Sequence, residues 1–144
     1  MTNLNIGCGF HKLDGFINID KSNKSVADKI IDLELPNCLN EFKDNSVEKI
    51  FARNILEHIQ NIIPLMNECY RVLKKNGSIF IVVPQGDGIW ADPTHVRGFS
   101  KISFRYYCGY PLAETYGITA KFSNSVINFE PNEDGGSITA ILTK

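Results

Sequence analysis

The run Ile79-Phe80-Ile81-Val82-Val83 is apolar at every position, and this limits the fold more sharply than any other stretch of the chain. A strand with alternating character keeps one face in water, whereas a continuously apolar one is expected to be buried on both faces. Such strands belong to parallel sheets packed against helices. The residues before it agree. Ile62, Leu65, Met66, Cys69, Val72 and Leu73 recur at helical spacing and predict a helix over about 62–74, stopped by Asn76-Gly77. Further upstream, Leu4–Ile6, Phe16–Asp20, Lys29–Leu33 and Glu48–Ala52 read as strands, and Pro36–Ser46 as a loop rich in Asn and Asp.

Beyond Pro84 the texture changes. Short helices are expected from Ser100 through Tyr107 and from Pro111 to Tyr116. Ile118–Phe129 and Ser137–Leu142 read as strands joined through Glu130–Gly136, whose Pro, Asn, Asp and glycines suit an antiparallel hairpin. The expected fold class is α/β: a mostly parallel sheet with an antiparallel C-terminal hairpin, in one domain over residues 1–144.

The first crossovers are too short. Nine residues (7–15) separate the first two strands and eight (21–28) the next pair, whereas a parallel crossover normally needs about a dozen or more. The first half of the sheet is therefore expected to lack helical cover. Asn3 and Asn5, alternating with Leu4 and Ile6, fit a strand with one wetter face. Apolar sheet left uncovered would be buried by another chain, most simply in a homodimer.

Composition narrows the partners. Lys and Arg number 15 against 16 Asp and Glu, a balance that argues against nucleic acid. No apolar run approaches the ~18–20 residues of a membrane span. With no basic start followed by an apolar stretch at the N-terminus, a cytoplasmic location is expected. Cys8, Cys38, Cys69 and Cys108 are scattered without C-x-x-C spacing, and so read as reduced thiols rather than a disulfide framework, zinc ribbon or iron–sulfur ligand set. The three histidines are equally scattered, and no metal site is expected.

Leu4-Asn5-Ile6-Gly7-Cys8-Gly9 is a strand turning on two glycines, which lets backbone N–H groups approach a ligand closely. The next strand ends in Asp20, placed to accept hydrogen bonds from a ribose diol. A dinucleotide site would want a third glycine where Lys12 stands, so NAD is disfavoured.

These blocks carry a resemblance. "LNIGCG", "GFINID", "DLELPNCLNEFKDNSVEKIFARNILEHI" and "ECYRVLKKNGSIFIVVPQ", covering residues 4–85, together resemble a class I S-adenosylmethionine-dependent methyltransferase of small bacterial or phage type. "ADPTHVRGFSKISF" resembles a D-P-T-H-x-R-x-F block found after the fifth strand in many of these proteins. The resemblance implies a Rossmann-like seven-strand sheet, with S-adenosylmethionine as methyl donor and S-adenosylhomocysteine as product. It assigns Gly7, Cys8 and Gly9 to the methionine part of the cofactor and Asp20 to the ribose. Asp32 and Leu33 fall to the adenine, and Arg53 and Asn54 lie near the methionine group or methyl. The family often has Ser-His where this chain has Arg53-Asn54. Glu57 and His58 form its L-E-H block, readable equally as an anchor for the loop.

Loop 86–99 leaves the fifth strand and holds Trp90, Asp92, His95 and Arg97. Ligands of open α/β sheets bind beyond the carboxyl ends of the strands, which makes this loop the expected acceptor site. Asp92 or His95 would orient or deprotonate the nucleophile, and Arg97 would pair with an anionic acceptor group. The other reading has Asp92 and Arg97 pinning the loop as a lid. The expected substrate is a small-molecule or glycan-type acceptor. Two rivals stay open: a non-catalytic cofactor-binding or partner subunit, and a nucleic-acid methyltransferase, against which stands the absence of an N-P-P-Y or D-P-P-Y signature.

Overall fold

The computed structural model describes every residue except Asp134, with backbone alone for Asn124 and Ser125. Seven strands form one sheet: β1 (Thr2–Ile6), β2 (Ile17–Asp20), β3 (Lys29–Ile30), β4 (Val47–Arg53), β5 (Leu73–Pro84), β6 (Asn124–Glu130) and β7 (Ser137–Thr143). Their order is β3-β2-β1-β4-β5-β7-β6. β1 to β5 pair in parallel, and β7 runs antiparallel to both β5 and β6. This is the expected α/β class, antiparallel hairpin included; Asp134 in its connecting loop lies outside the described residues.

Among the described residues two α-helices accompany the sheet, α1 (Ile62–Val72) and the single-turn α2 (Gly88–Ala91), and the short helices expected from Ser100 and Pro111 are 3-10 turns at Ser103–Tyr107 and Ala113–Tyr116, with a third at Leu56–His58. Ile62, Leu65, Met66, Cys69 and Val72 of α1 are buried in one core with Leu4, Ile6, Ile50, Ala52, Ile79, Ile81 and Val83 from the strands.

α1 ends two residues earlier than its apolar spacing predicts. Leu73 is already extended and pairs with Val47. The freed carbonyls of Arg71 and Val72 accept the amides of Asn45 and Ser46, and the Lys144 ammonium caps the Tyr70 carbonyl at 2.7 Å. Asn76-Gly77 therefore turns inside β5 instead of closing the helix.

The reading of β5 as buried on both faces is corrected. Ile79, Ile81 and Val83 are fully buried, but Phe80 and Val82 are only half-buried. Phe80 belongs to a row running across the opposite sheet face: Asn18, Asn5, Phe51, Phe80, Ile141 and Val126 in register. Phe51 and Phe80 stack at 5.2 Å, and Val126 is exposed. The first crossovers contain no helix that could cover this face.

At β1 and β2 a polar network stands in for the missing helices. Asn5 and Asn18 are buried, and Asn5 Nδ2 donates to Asn18 Oδ1 at 2.8 Å and to the His11 carbonyl at 2.9 Å. Asn18 Oδ1 also accepts the Leu13 amide, and its Nδ2 donates to Asp28 Oδ2. Asp28, held well below the usual carboxylate range by Lys12 and Asn18, completes the seal. The loop itself is the cover.

Two other boundaries shift. β3 shrinks to Lys29–Ile30 because Asp32 turns the chain, its Oδ1 accepting the Glu34 amide at 3.0 Å. β6 starts at Asn124 rather than at Ile118. The amides of Thr119 and Ala120 bond to the Asn67 side chain on α1, and Phe122 to the Tyr107 carbonyl, so this stretch joins no strand ladder.

Candidate functional site

At the carboxyl ends of β1, β2 and β4 lies a cavity of about 340 Å³, lined by Gly7, Asp20, Lys21, Ile31, Asp32, Leu33, Ile55, His58, Ile59 and Thr94. Ligand sites usually span ~300–1,000 Å³ with apolar walls and a few placed polar groups. Ile55, Ile59 and Leu33 supply the wall; Asp20 and Asp32 supply the acceptors.

Gly7 has φ +66, and a Cβ there would stand 2.4 Å from Cγ1 of Ile55. Glycine is required at this point both for the turn and for the close approach. Gly9 has φ +51 with open space around it, and its amide donates to Asp20 Oδ2 at 2.8 Å. The Ser22 amide donates to Asp20 Oδ1 at 2.8 Å. Two backbone donors thus fix the carboxylate at the cavity edge, and each oxygen keeps a lone pair for a ligand.

Of the residues expected around a cofactor, Gly7, Asp20, Asp32 and Leu33 line this cavity. Cys8 and Gly9 do not line it; the Cys8 amide donates to the Ile19 carbonyl, and its thiol is buried, which together with nearby Asp20 raises its pKa. Arg53 is exposed and does not line the cavity, and Asn54 (φ +51) lines the pocket next to it. Ile55, Ile59 and Lys21 are additions that sequence reasoning missed. Their signal, placement just after a strand end, is shared by too many residues to single them out.

The neighbouring pocket, about 560 Å³, is lined by Asn54, Glu57, His58, Pro84, Gly88, Ala91, Asp92, Pro93 and His95. His58 lines both cavities, so they meet at its ring. Asp92 and His95 line this pocket. His95 Nδ1 lies 2.7 Å from the Ile89 carbonyl, an acceptor, so this nitrogen donates. Nε2 is 3.9 Å from Asp92 Oδ2 and 4.0 Å from Glu57 Oε1. Thr94 gives both its amide and its hydroxyl to Asp92 Oδ1, which lowers the Asp92 pKa.

Arg97 is turned away from this pocket. Its Nε donates to the Ile59 carbonyl at 3.1 Å and its Nη2 to the Gln60 carbonyl at 2.7 Å. It clamps loop 86–99 to the segment after Glu57-His58, and Asp92 is not its partner.

The scattering of the histidines in sequence does not survive folding. His58 and His95 pack edge to face with ring centroids 4.7 Å apart. Glu57, 1% exposed, lies within 4.8 Å of both, and burial pushes its carboxyl pKa up. Among the described residues no helix is long and apolar enough to cross a membrane.

A methyltransferase-domain family model matches residues 4–81. The match ends before the Asp92-Pro93-Thr94-His95 block. A Methanocaldococcus jannaschii protein, uncharacterized MJ0638, is 33% identical over 98 residues, 60% of this chain and 42% of that one. The chain spans less than half the length of the curated relatives it matches. Among solved structures, a SAM-dependent methyltransferase from Archaeoglobus fulgidus superposes with TM-score 0.75 at 16% identity, covering 99% of this chain and 86% of that one. Haemonchus contortus phosphoethanolamine N-methyltransferase 2, crystallised with S-adenosyl-L-methionine, gives TM-score 0.62 at 15% identity, covering 99% of this chain and 48% of that one. The glycine turn, the seven-strand order and the matched residues lead to one conclusion: the chain belongs to the methyltransferase-domain family and has the fold of its S-adenosylmethionine-dependent members.

Proposed function

We propose that the chain transfers the methyl group of S-adenosylmethionine to a small-molecule or glycan-type acceptor, releasing S-adenosylhomocysteine. The observation that carries this reading is the meeting of the two cavities at His58. One has the acids and apolar wall for a nucleoside; the other faces it from the loop after β5.

In this reading Gly7 and Gly9 let the methionine portion approach the backbone, and Asp20, fixed by two amides, accepts from the ribose diol. Asp32 keeps Oδ2 for the adenine amine while Leu33 packs against the ring. The acceptor enters beside Asp92 and His95. The sulfonium is already a good leaving group, so the protein's work is to align nucleophile, methyl and sulfur away from water. Arg97 serves as a positioning residue, holding the loop that forms the acceptor wall.

The reading is tested with labelled S-adenosylmethionine and three pools: polar metabolites and oligosaccharides, total RNA and DNA, and protein. Label entering the first pool, lost with Asp20→Ala, is the expected result. Label entering nucleic acid alone would refute the acceptor class. Cofactor binding with no transfer to any pool favours the non-catalytic alternative.

A further inference from the structure

Glu57 poses a physical problem. It is 1% exposed, and neither carboxylate oxygen has a hydrogen-bond partner. A buried carboxylate without a partner is costly, and native structures resolve such cases with a proton or a cation. The surroundings decide which. Glu57, His58 and His95 each offer a ligand-type atom, and these atoms lie within 4.8 Å of one another.

The hydrogen bonds show which ring nitrogens are already engaged. His95 donates its Nδ1–H to the Ile89 carbonyl, and its Nε2 lies 4.0 Å from Glu57 Oε1 and 3.9 Å from Asp92 Oδ2. The single Thr94 hydroxyl proton goes to Asp92 Oδ1 at 2.7 Å, so the Thr94 oxygen accepts Nδ1–H of His58 at 2.9 Å. One buried carboxylate and two imidazoles thus stand within 4.8 Å of one another, with Asp92 Oδ2 3.9 Å from His95 Nε2 at the rim. Spacings of 3.9–4.0 Å are too long for hydrogen bonds. They suit two ligands of one ion, which sit roughly 3–4 Å apart around a metal held at ~2.0–2.2 Å.

We propose that Glu57, His58 and His95 bind a first-row divalent cation of the Zn²⁺ or Mn²⁺ type at the wall of the acceptor pocket, with Asp92 beside His95 as an outer carboxylate. Two imidazole nitrogens with one carboxylate favour such ions over Mg²⁺ or Ca²⁺, which prefer oxygen alone. The outer contacts are those a metal site uses. A backbone carbonyl fixes one imidazole, and an Asp92–Thr94 chain fixes the other. The pocket side stays open, so an acceptor hydroxyl can complete the coordination shell beside the cofactor cavity. This role rests on the methyl-transfer reading; the binding does not.

The test is calorimetric titration of chelator-treated full chain with Zn²⁺, with Mg²⁺ as control, and with Co²⁺ absorption to report nitrogen and oxygen ligation. One equivalent of Zn²⁺ is expected, with weak or no response to Mg²⁺. Glu57→Gln and His95→Ala should lower Zn²⁺ affinity by at least ~10–100-fold. Asp92→Asn and Thr94→Val change exposed positions and serve if the buried variants fail to fold; each should weaken binding several-fold with unchanged melting temperature. Absence of Zn²⁺ and Co²⁺ binding, or wild-type Zn²⁺ affinity in Glu57→Gln, would overturn the proposal. S-adenosylhomocysteine titrated into the metal-free protein separates the two readings. Its binding without any Zn²⁺ binding sinks the metal site alone. Zn²⁺ binding without S-adenosylhomocysteine binding supports the metal site and removes methyl transfer.

Discussion

Asn5 and Asn18 are register partners on β1 and β2, and their buried amides are hydrogen-bonded to each other at 2.8 Å. This pair is what allows a parallel crossover with no helix. Asn18 also takes the Leu13 amide and donates to Asp28 and the Phe16 carbonyl, so one side chain holds the whole loop against the sheet. Asn18→Ala leaves several of these partners buried and unpaired, and should destabilise the protein by about 2–4 kcal/mol. Urea denaturation checks it; a change below about 0.5 kcal/mol, the range of an ordinary surface substitution, would mean that the network does not hold the crossover.

The two glycines of the first turn should respond differently. At Gly9 only the positive φ opposes alanine, a cost of roughly 1–2 kcal/mol. At Gly7 a Cβ also collides with Ile55, so Gly7→Ala should be the more damaging and should block the cofactor cavity. Adding Ile55→Ala should restore part of the Gly7→Ala stability and little of the Gly9→Ala loss, since only the first pair is in contact. Equal losses for both glycine variants, with no rescue, would contradict this.

Arg97 gives a third outcome. Two of its donors are spent on the Ile59 and Gln60 carbonyls, and charge-assisted bonds of this kind contribute about 1.5–3 kcal/mol each to a half-buried partner at most. Arg97→Ala should therefore lower the melting temperature and raise the acceptor KM as the loop loosens. A variant with wild-type melting temperature and no methyl transfer would restore the direct acceptor role read from the sequence.

Alkaline stability follows from the buried thiols. Burial and nearby Glu68 push Cys38 from an ordinary 9 up to about 11. A raised folded pKa means that the unfolded chain ionises first. The contribution is complete below pH 9 and is lost as pH climbs toward about 11. Cys38→Ala should flatten the stability profile across that window, measured by urea denaturation at a series of pH values. An unchanged slope would assign the loss to other groups.

The local signals in the sequence were read correctly where they were also the tertiary ones. The glycine turn, the α1 face and the C-terminal hairpin each follow from residues within one element. Errors arose where distant partners decided. Leu73 left the helix because Val47 claims it, and Ile118–Phe122 left the strand because Asn67 takes its amides. The cluster at Glu57 was hidden for the same reason: 36 positions separate His58 from Thr94, and only the return of loop 86–99 brings His95 beside them. The short crossovers were visible, yet their remedy, a buried asparagine pair, carries no periodic signature.

The most direct measurement is isothermal calorimetry of the purified chain with S-adenosylhomocysteine, alongside NADH and the Asp20→Ala variant. The account predicts a single S-adenosylhomocysteine site, no NADH response, and binding weakened by ~1–3 kcal/mol in Asp20→Ala through lost charge-assisted bonds to the diol. NADH binding with no S-adenosylhomocysteine signal would contradict it.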